Sequence, residues 1–191
     1  MHDQLNLFCF AGTDTSSAAF DWGLAKLALT PDIQDKNRAE MNDVLGAESE
    51  PPTYRDLPKL KYLGAFLKEL LRVYSPARAV YRKFTSDETM ELNGVPIPPN
   101  STIAIEVQAI NLSEDYFPRP MEFLPERCLT TTESNLLPVA SPEGLLTFSF
   151  GFRSCIGRPF AMVELQTLIP SVLRAYLVVP TPTERVARRL L

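Results

Sequence analysis

The chain has 191 residues, 45% hydrophobic and 22% charged, enough apolar material for one domain or two small ones to bury a core. Nineteen Lys and Arg against 23 Asp and Glu leave a formal charge of −4, so no basic footprint invites a nucleic acid backbone. The single histidine, His2, lies at a terminus prone to fray, which argues against Ser–His–Asp or Cys–His catalysis and against His-rich zinc or iron sites.

From the N-terminus, the proline-free stretch from about Asp3 to Leu29 reads as one long, largely apolar helix. Leu5 to Ala11 imitates the apolar core of a signal peptide, but Met1-His2-Asp3 lacks the positive flank. Thr30-Pro31-Asp32 is a start signal, Thr30 as cap and Pro31 at the first helical position, for a second helix to about Leu45. Gly46 suits its left-handed C-cap. After a polar loop from Ala47 to Pro58, a third helix carries Tyr62, Leu63, Phe66, Leu67, Leu70, Leu71 and Tyr74 as an apolar stripe, ending at Ser75-Pro76.

Beyond Pro76, Ala79 to Thr85 and Thr102 to Val107 are short β-prone runs, and Asn93-Gly94 between them is a hairpin signal. Asn111 to Ser141 is rich in loops and turns, and a last apolar helix starts at Pro159. The predicted class is α+β, predominantly helical: 1–76 helical, 77–110 a small β-sheet, 111–158 loops, and 159–191 a terminal helix and tail. Pro170 falls inside that helix, where a proline costs about 3 kcal/mol or forces a kink. No run of about 18 apolar residues marks a membrane span. Cys9, Cys128 and Cys155 are odd in number and widely spaced, which suits a reducing compartment better than a disulfide framework.

The chemistry concentrates in Phe148-Ser-Phe-Gly151-Phe-Arg153-Ser-Cys155-Ile-Gly157-Arg-Pro159. Two glycines flank a cysteine, so the backbone can bend tightly and approach a flat ligand. Arg153 adds positive potential, and the helix after Pro159 puts Cys155 near an N-terminus whose dipole favours a thiolate. The plainer alternative is a buried cysteine in a glycine-bearing loop. Five spaced positions, however, match the cysteine-loop signature F-x-x-G-x-R-x-C-x-G at Phe148, Gly151, Arg153, Cys155 and Gly157. The stretch resembles that of the cytochrome P450 family, and Ala161 and Glu164 continue the family's following helix. The resemblance implies the C-terminal part of that fold, with haem as cofactor, Cys155 as the thiolate ligand of its iron, and Arg153 on a propionate. Thiolate ligation pushes electron density onto iron and favours O–O cleavage. Phe148 would shield the sulfur side.

Three further motifs stand in the family's order. Ala11-Gly12-Thr13-Asp14-Thr15-Ser16 is similar to the oxygen-activating motif A-G-x-D/E-T-T/S, which assigns proton management to Asp14 and Thr15. From the residues alone, Thr15 can bond back to the Ala11 carbonyl, and the alternative is a solvated aspartate beside incidental threonines. Glu69 and Arg72 have the i, i+3 spacing of a salt bridge. Helical geometry places Arg72 nearly opposite the apolar stripe and so predicts a solvated pair of little worth. The resemblance to E-x-x-R, with the arginine of Pro125-Glu126-Arg127 as partner, implies instead a structural clamp of Glu69, Arg72 and Arg127 under the haem. Arg82 matches a position that often binds the second propionate, and its alternative is an edge-strand charge that limits aggregation.

The chain also departs from the pattern. Cys128 stands where an aromatic is usual and Asn111 where a histidine is usual, both expected to lie away from the chemistry. The family's closing strands are not recognisable between Thr181 and Leu191, which carry Arg185, Arg188 and Arg189. The oxygen-activating helix begins almost at Met1, whereas the family places it near the middle. The resemblance implies a monooxygenase that inserts one oxygen atom of O2 into a small organic substrate. Electrons would come from an NADPH-dependent reductase or another donor. A truncated haem-binding or non-catalytic fragment is the competing expectation. A peroxide-rearranging isomerase or lyase is a third, against which the acid–alcohol pair Asp14-Thr15 counts. Full-length members often sit on the cytoplasmic face of the endoplasmic reticulum membrane.

Overall fold

The computed structural model describes residues 2–46, 52–129 and 146–181. The long first helix, α1 (His2–Leu29), is a single 28-residue element. Its two halves differ. Ser16, Ala19, Gly23 and Leu27 recur at spacings of three and four and form its buried stripe, whereas Leu5, Leu7, Phe8 and Phe10 in the first half are exposed. Gly23 sets how closely α1 approaches the body. A Cβ there would stand 3.1 Å from Ile169 Cδ1 and 3.2 Å from Leu70 Cδ2, so a larger residue would push the helices apart.

The second helix, α2 (Pro31–Leu45), starts at its predicted proline but without the predicted cap. The Thr30 hydroxyl turns back and donates to the Lys26 carbonyl of α1 at 2.6 Å, so it satisfies the end of one helix rather than the start of the next. Gly46 closes α2 at φ 73° and donates its N–H to the Asn42 carbonyl, as a glycine C-cap can.

The third helix, α3 (Lys61–Val73), buries Leu63, Phe66, Leu67, Leu70 and Leu71 from the predicted stripe. Its first amides receive a cap from another helix. Glu40 on α2 accepts the N–H of Tyr62 at 2.6 Å and of Leu63 at 2.9 Å, two donors with no intrahelical partner. A carboxylate at a helix N-terminus also meets the positive end of the dipole. Glu40→Gln keeps one acceptor, places an amide donor against the second N–H, and removes the charge. It is expected to cost about 1–2 kcal/mol, read as a lower urea midpoint at unchanged slope.

The β-region differs from its predicted pairing. The Asn93-Gly94 turn, at φ 50° and 81°, joins β2 (Met90–Leu92) to β3 (Val95–Ile97) in a short hairpin. The two runs expected to flank that turn, β1 (Val80–Lys83) and β4 (Thr102–Ile105), instead pair with each other, antiparallel, Val80 opposite Ile105. There are therefore two two-stranded sheets among the described residues. Val107 opens a five-residue helix, α4 (Val107–Asn111), instead of ending the strand.

The last helix, α5 (Arg158–Ala175), runs through Pro170 without ending there. The Thr167 and Ser171 hydroxyls donate to the Val163 and Thr167 carbonyls at 2.8 and 2.7 Å around that position. Leu165, Ile169 and Leu173 face inward, while Phe160 and Leu168 are exposed. These three join Ala19 and Leu27 of α1, Met41 of α2 and the α3 leucines in one helical core. No helix among the described residues is long and apolar enough to cross a membrane. Part of the polar loop after Gly46, the segment 130–145 and the arginine-bearing tail lie outside the described residues.

Candidate functional site

The core brings three sequence-distant segments to one cavity of about 220 Å³. Thr15 and Ser16 of α1 form one wall, Leu71 at the end of α3 another, and Phe148, Arg153 and Cys155 of the cysteine loop a third. Most of the remaining lining is apolar, including Ala19, Val80, Ala161 and Leu165. One thiol, one guanidinium and the four hydroxyls of Thr15, Ser16, Thr147 and Ser149 stand among otherwise apolar walls.

Turn geometry shapes the cysteine loop. Ser149 and Gly151 both take positive φ, 58° and 72°, and a tight turn spans Gly151–Arg153. A Cβ added at Gly151 would meet no heavy atom within 4 Å, so conformation, not crowding, calls for glycine there. The Cys155 amide donates to the Phe148 carbonyl at 2.8 Å and closes the loop on itself. Cys155 is exposed, and a Cβ at Gly157 would lie 3.8 Å from its sulfur, in ordinary contact. Phe152 and Ile156, on either side of the cysteine in sequence, are almost fully exposed. Phe148 packs against the core and holds the Arg158 guanidinium 5.7 Å from its ring centre.

The oxygen-activation candidates separate. The Thr15 hydroxyl donates to the Ala11 carbonyl at 2.8 Å, the bond its position on the helix allows, and Thr15 lines the cavity. Asp14 is exposed and is not part of the lining, because adjacent helical residues point about 100° apart. Arg82 on β1 reaches the loop: it donates to the Ser149 hydroxyl at 3.4 Å and to the Tyr81 carbonyl at 2.9 Å. The structure thus gathers Thr15, Arg153, Cys155 and Phe148 at one cavity, places Arg82 beside its rim, and leaves Asp14 outside.

Below the cavity, the solvated pair that periodicity predicts is fully buried. The Glu69 carboxylate accepts from Arg72 Nε and Nη2 at 2.9 and 2.8 Å, from Arg127 Nε at 3.1 Å and from the Leu124 amide at 2.9 Å. Arg72 donates further to the carbonyls of Asn111 and Glu122, and Arg127 to those of Pro118, Arg119 and Glu122. All three side chains have essentially no exposure. The helical wheel errs because it sees only one helix. The segment from Phe117 to Cys128 folds over the polar face of α3, the Arg72 guanidinium sits 5.1 Å from the Phe117 ring centre, and main-chain carbonyls take over from water.

Two neighbours feel this charge. Burial lowers the pKa of Lys26, whose ammonium stands over the Phe123 ring, while Glu69 pulls it partly back up. Burial, with Glu69 adding to it, pushes the Cys128 thiol up to about 12, so Cys128 stays protonated at neutral pH. The remaining members of this region, Thr147, Asn111 and Glu40, carry no spacing signal in the sequence, since each works through partners far away in the chain.

Residues 2–190 match the family model for Cytochrome P450. Cytochrome P450 4V2 of Rattus norvegicus is 35% identical over 176 residues, 92% of this chain and 32% of the relative. Cytochrome P450 4V2 of Homo sapiens is 34% identical over the same coverage. Cytochrome P450 4d8 of Drosophila melanogaster is 35% identical over 185 residues, 94% of this chain and 38% of the relative. The chain spans about a third of the length of the curated relatives it matches. A mostly helical body with small antiparallel sheets agrees with that match, and the chain belongs to the cytochrome P450 family.

Proposed function

We propose that this chain is the C-terminal part of a haem-thiolate monooxygenase, in which the Cys155 thiolate would hold the haem iron. The observation that carries the reading is the single cavity shared by Cys155 and Arg153 of the loop and Thr15 of α1. The donor set fits the group: a reachable sulfur, arginines for two carboxylates, and apolar side chains for a macrocycle. When bound, thiolate-ligated haem supplies reductive activation of O2, so that one oxygen atom enters an organic substrate and the other leaves as water. The two electrons come from an NADPH-dependent reductase or another donor. Arg153, with Arg82 at the rim, would neutralise the propionates, and Phe148 would keep the sulfur side apolar. Glu69, Arg72 and Arg127 hold the floor beneath it and take no part in the chemistry. An intracellular location belongs to this reading, because full-length relatives often sit on the cytoplasmic face of the endoplasmic reticulum membrane.

Asp14 and Thr15 would handle protons in sequence. Asp14 faces solvent, where it can exchange protons, and the Thr15 hydroxyl presents its lone pairs to the cavity while its proton rests on the Ala11 carbonyl. Delivering that proton requires the hydroxyl to swing off Ala11. Thr15→Ala is therefore expected to raise the peroxide formed per electron consumed severalfold, with an unchanged ferrous–CO spectrum. Unaltered coupling in that variant would remove Thr15 from the relay.

The reading as a whole is tested by loading the chain with haem, reducing it and adding carbon monoxide. The red-shifted Soret band of thiolate ligation is expected. A spectrum typical of neutral thiol or imidazole ligation would overturn it.

A further inference from the structure

We propose that Thr147 is a positioning residue for Cys155, coupling the end of α3 to the cysteine loop; its bearing on catalysis rests on the haem-thiolate reading above. The last carbonyls of a helix have no intrahelical partner, and Leu71 is one of those in α3. The Thr147 hydroxyl donates to it at 2.8 Å. The same oxygen accepts the Asn111 side-chain amide at 3.3 Å, which fixes the direction in which the hydroxyl proton points. Asn111 is itself immobilised: it is fully buried, and its main-chain carbonyl accepts Arg72 Nη1 at 2.8 Å. A continuous run of hydrogen bonds therefore leads from the buried Glu69–Arg72 pair through Asn111 to Thr147.

From Thr147 the path to the sulfur is one residue long. The neighbouring Phe148 carbonyl accepts the Cys155 amide, and Leu146 accepts the amide of Ser149, which sits at φ 58°. Thr147, Phe148, Ser149 and Cys155 all line the cavity. Cys155 is exposed, so packing does little to hold it, and the loop depends on its few hydrogen bonds for position. The Asn111 amide is one hydrogen bond from Thr147, which adjoins the loop that carries the thiol.

The test uses the full chain, without and with haem. Thr147→Val keeps the shape and deletes both bonds; Thr147→Ser keeps the hydroxyl. In the haem-free chain, exchange of the Cys155 amide is measured relative to that of Tyr74, which bonds to Leu70 within the same fold and controls for global opening. Thr147→Val is expected to raise that ratio about tenfold, and Thr147→Ser to leave it near the wild-type value. Asn111→Leu removes only the orienting amide and serves where Thr147→Val does not fold; about a threefold rise is expected. An unchanged ratio in the folded variants overturns the proposal. With haem, Thr147→Val is expected to lose more than half of the thiolate-type ferrous–CO band. If wild type lacks that band, the haem-thiolate reading fails, and the exchange ratio alone still decides whether Thr147 positions Cys155.

Discussion

Glu69→Ala is expected to destabilise the chain by about 3–5 kcal/mol, because it leaves two guanidinium groups buried together without a counter-charge. Against a typical total of about 5–15 kcal/mol, that is enough to shift a urea midpoint by one to several molar or to abolish the cooperative transition. The internal control is another ion pair of the same protein. Lys36 and Glu126 approach to 2.7 Å, closer than Arg127 and Glu69 at 3.1 Å, but both side chains are substantially exposed. Water screens that pair, and its removal by Lys36→Ala is expected to cost about 0–1 kcal/mol. Distance alone would rank the two pairs the other way; burial decides. Equal midpoint shifts in the two variants would mean that solvent reaches Glu69.

The second large effect is spectroscopic. Cys155→Ala is expected to eliminate the red-shifted ferrous–CO band while changing unfolding stability by no more than about 0.5 kcal/mol, since the side chain is exposed and packs against little. Cys128 offers no substitute ligand, because it does not line the cavity, and burial pushes its thiol up to about 12. Cys128→Ala is accordingly expected to leave the band intact. A band that survives Cys155→Ala would remove the axial assignment altogether.

The sequence shows the helices most clearly. Proline and glycine punctuate them, and Phe66 and the leucines of the α3 stripe are buried as their spacing predicts. Turn chemistry is equally local: Asn93 and Gly94 sit at positive φ values, which asparagine tolerates and glycine, lacking a Cβ, adopts freely. What the sequence hides is whatever arrives from far along the chain. Nothing about residues 61–73 says that Pro118 and Arg119 will turn their carbonyls toward Arg127, so periodicity leaves Arg72 in water. Strand partners fail for the same reason: β1 and β4 meet across an intervening hairpin. Within the site, the spacing of the cysteine loop is legible, but the separation of Asp14 from Thr15 is not, because a motif is written in order and a helix displays it in rotation. Thr147 and Glu40 leave no trace in any local pattern, although each satisfies a helix end that the body requires.

The second helix contributes no residue to the cavity, yet three of its side chains reach for neighbouring backbone. Glu40 holds the first amides of α3, Arg38 donates to the carbonyls of Leu173 and Tyr176 at the end of α5, and Gln34 exchanges two hydrogen bonds with Val178 just beyond it. The far end of α3 bears the Leu71 carbonyl that Thr147 grips, and α5 begins just after Cys155. Helix α2 thus ties the start of α3 to the end of α5, the two helices whose opposite ends adjoin the cysteine loop. Substitutions on this remote surface should behave as changes of alignment at the sulfur, felt most in residues that never touch it.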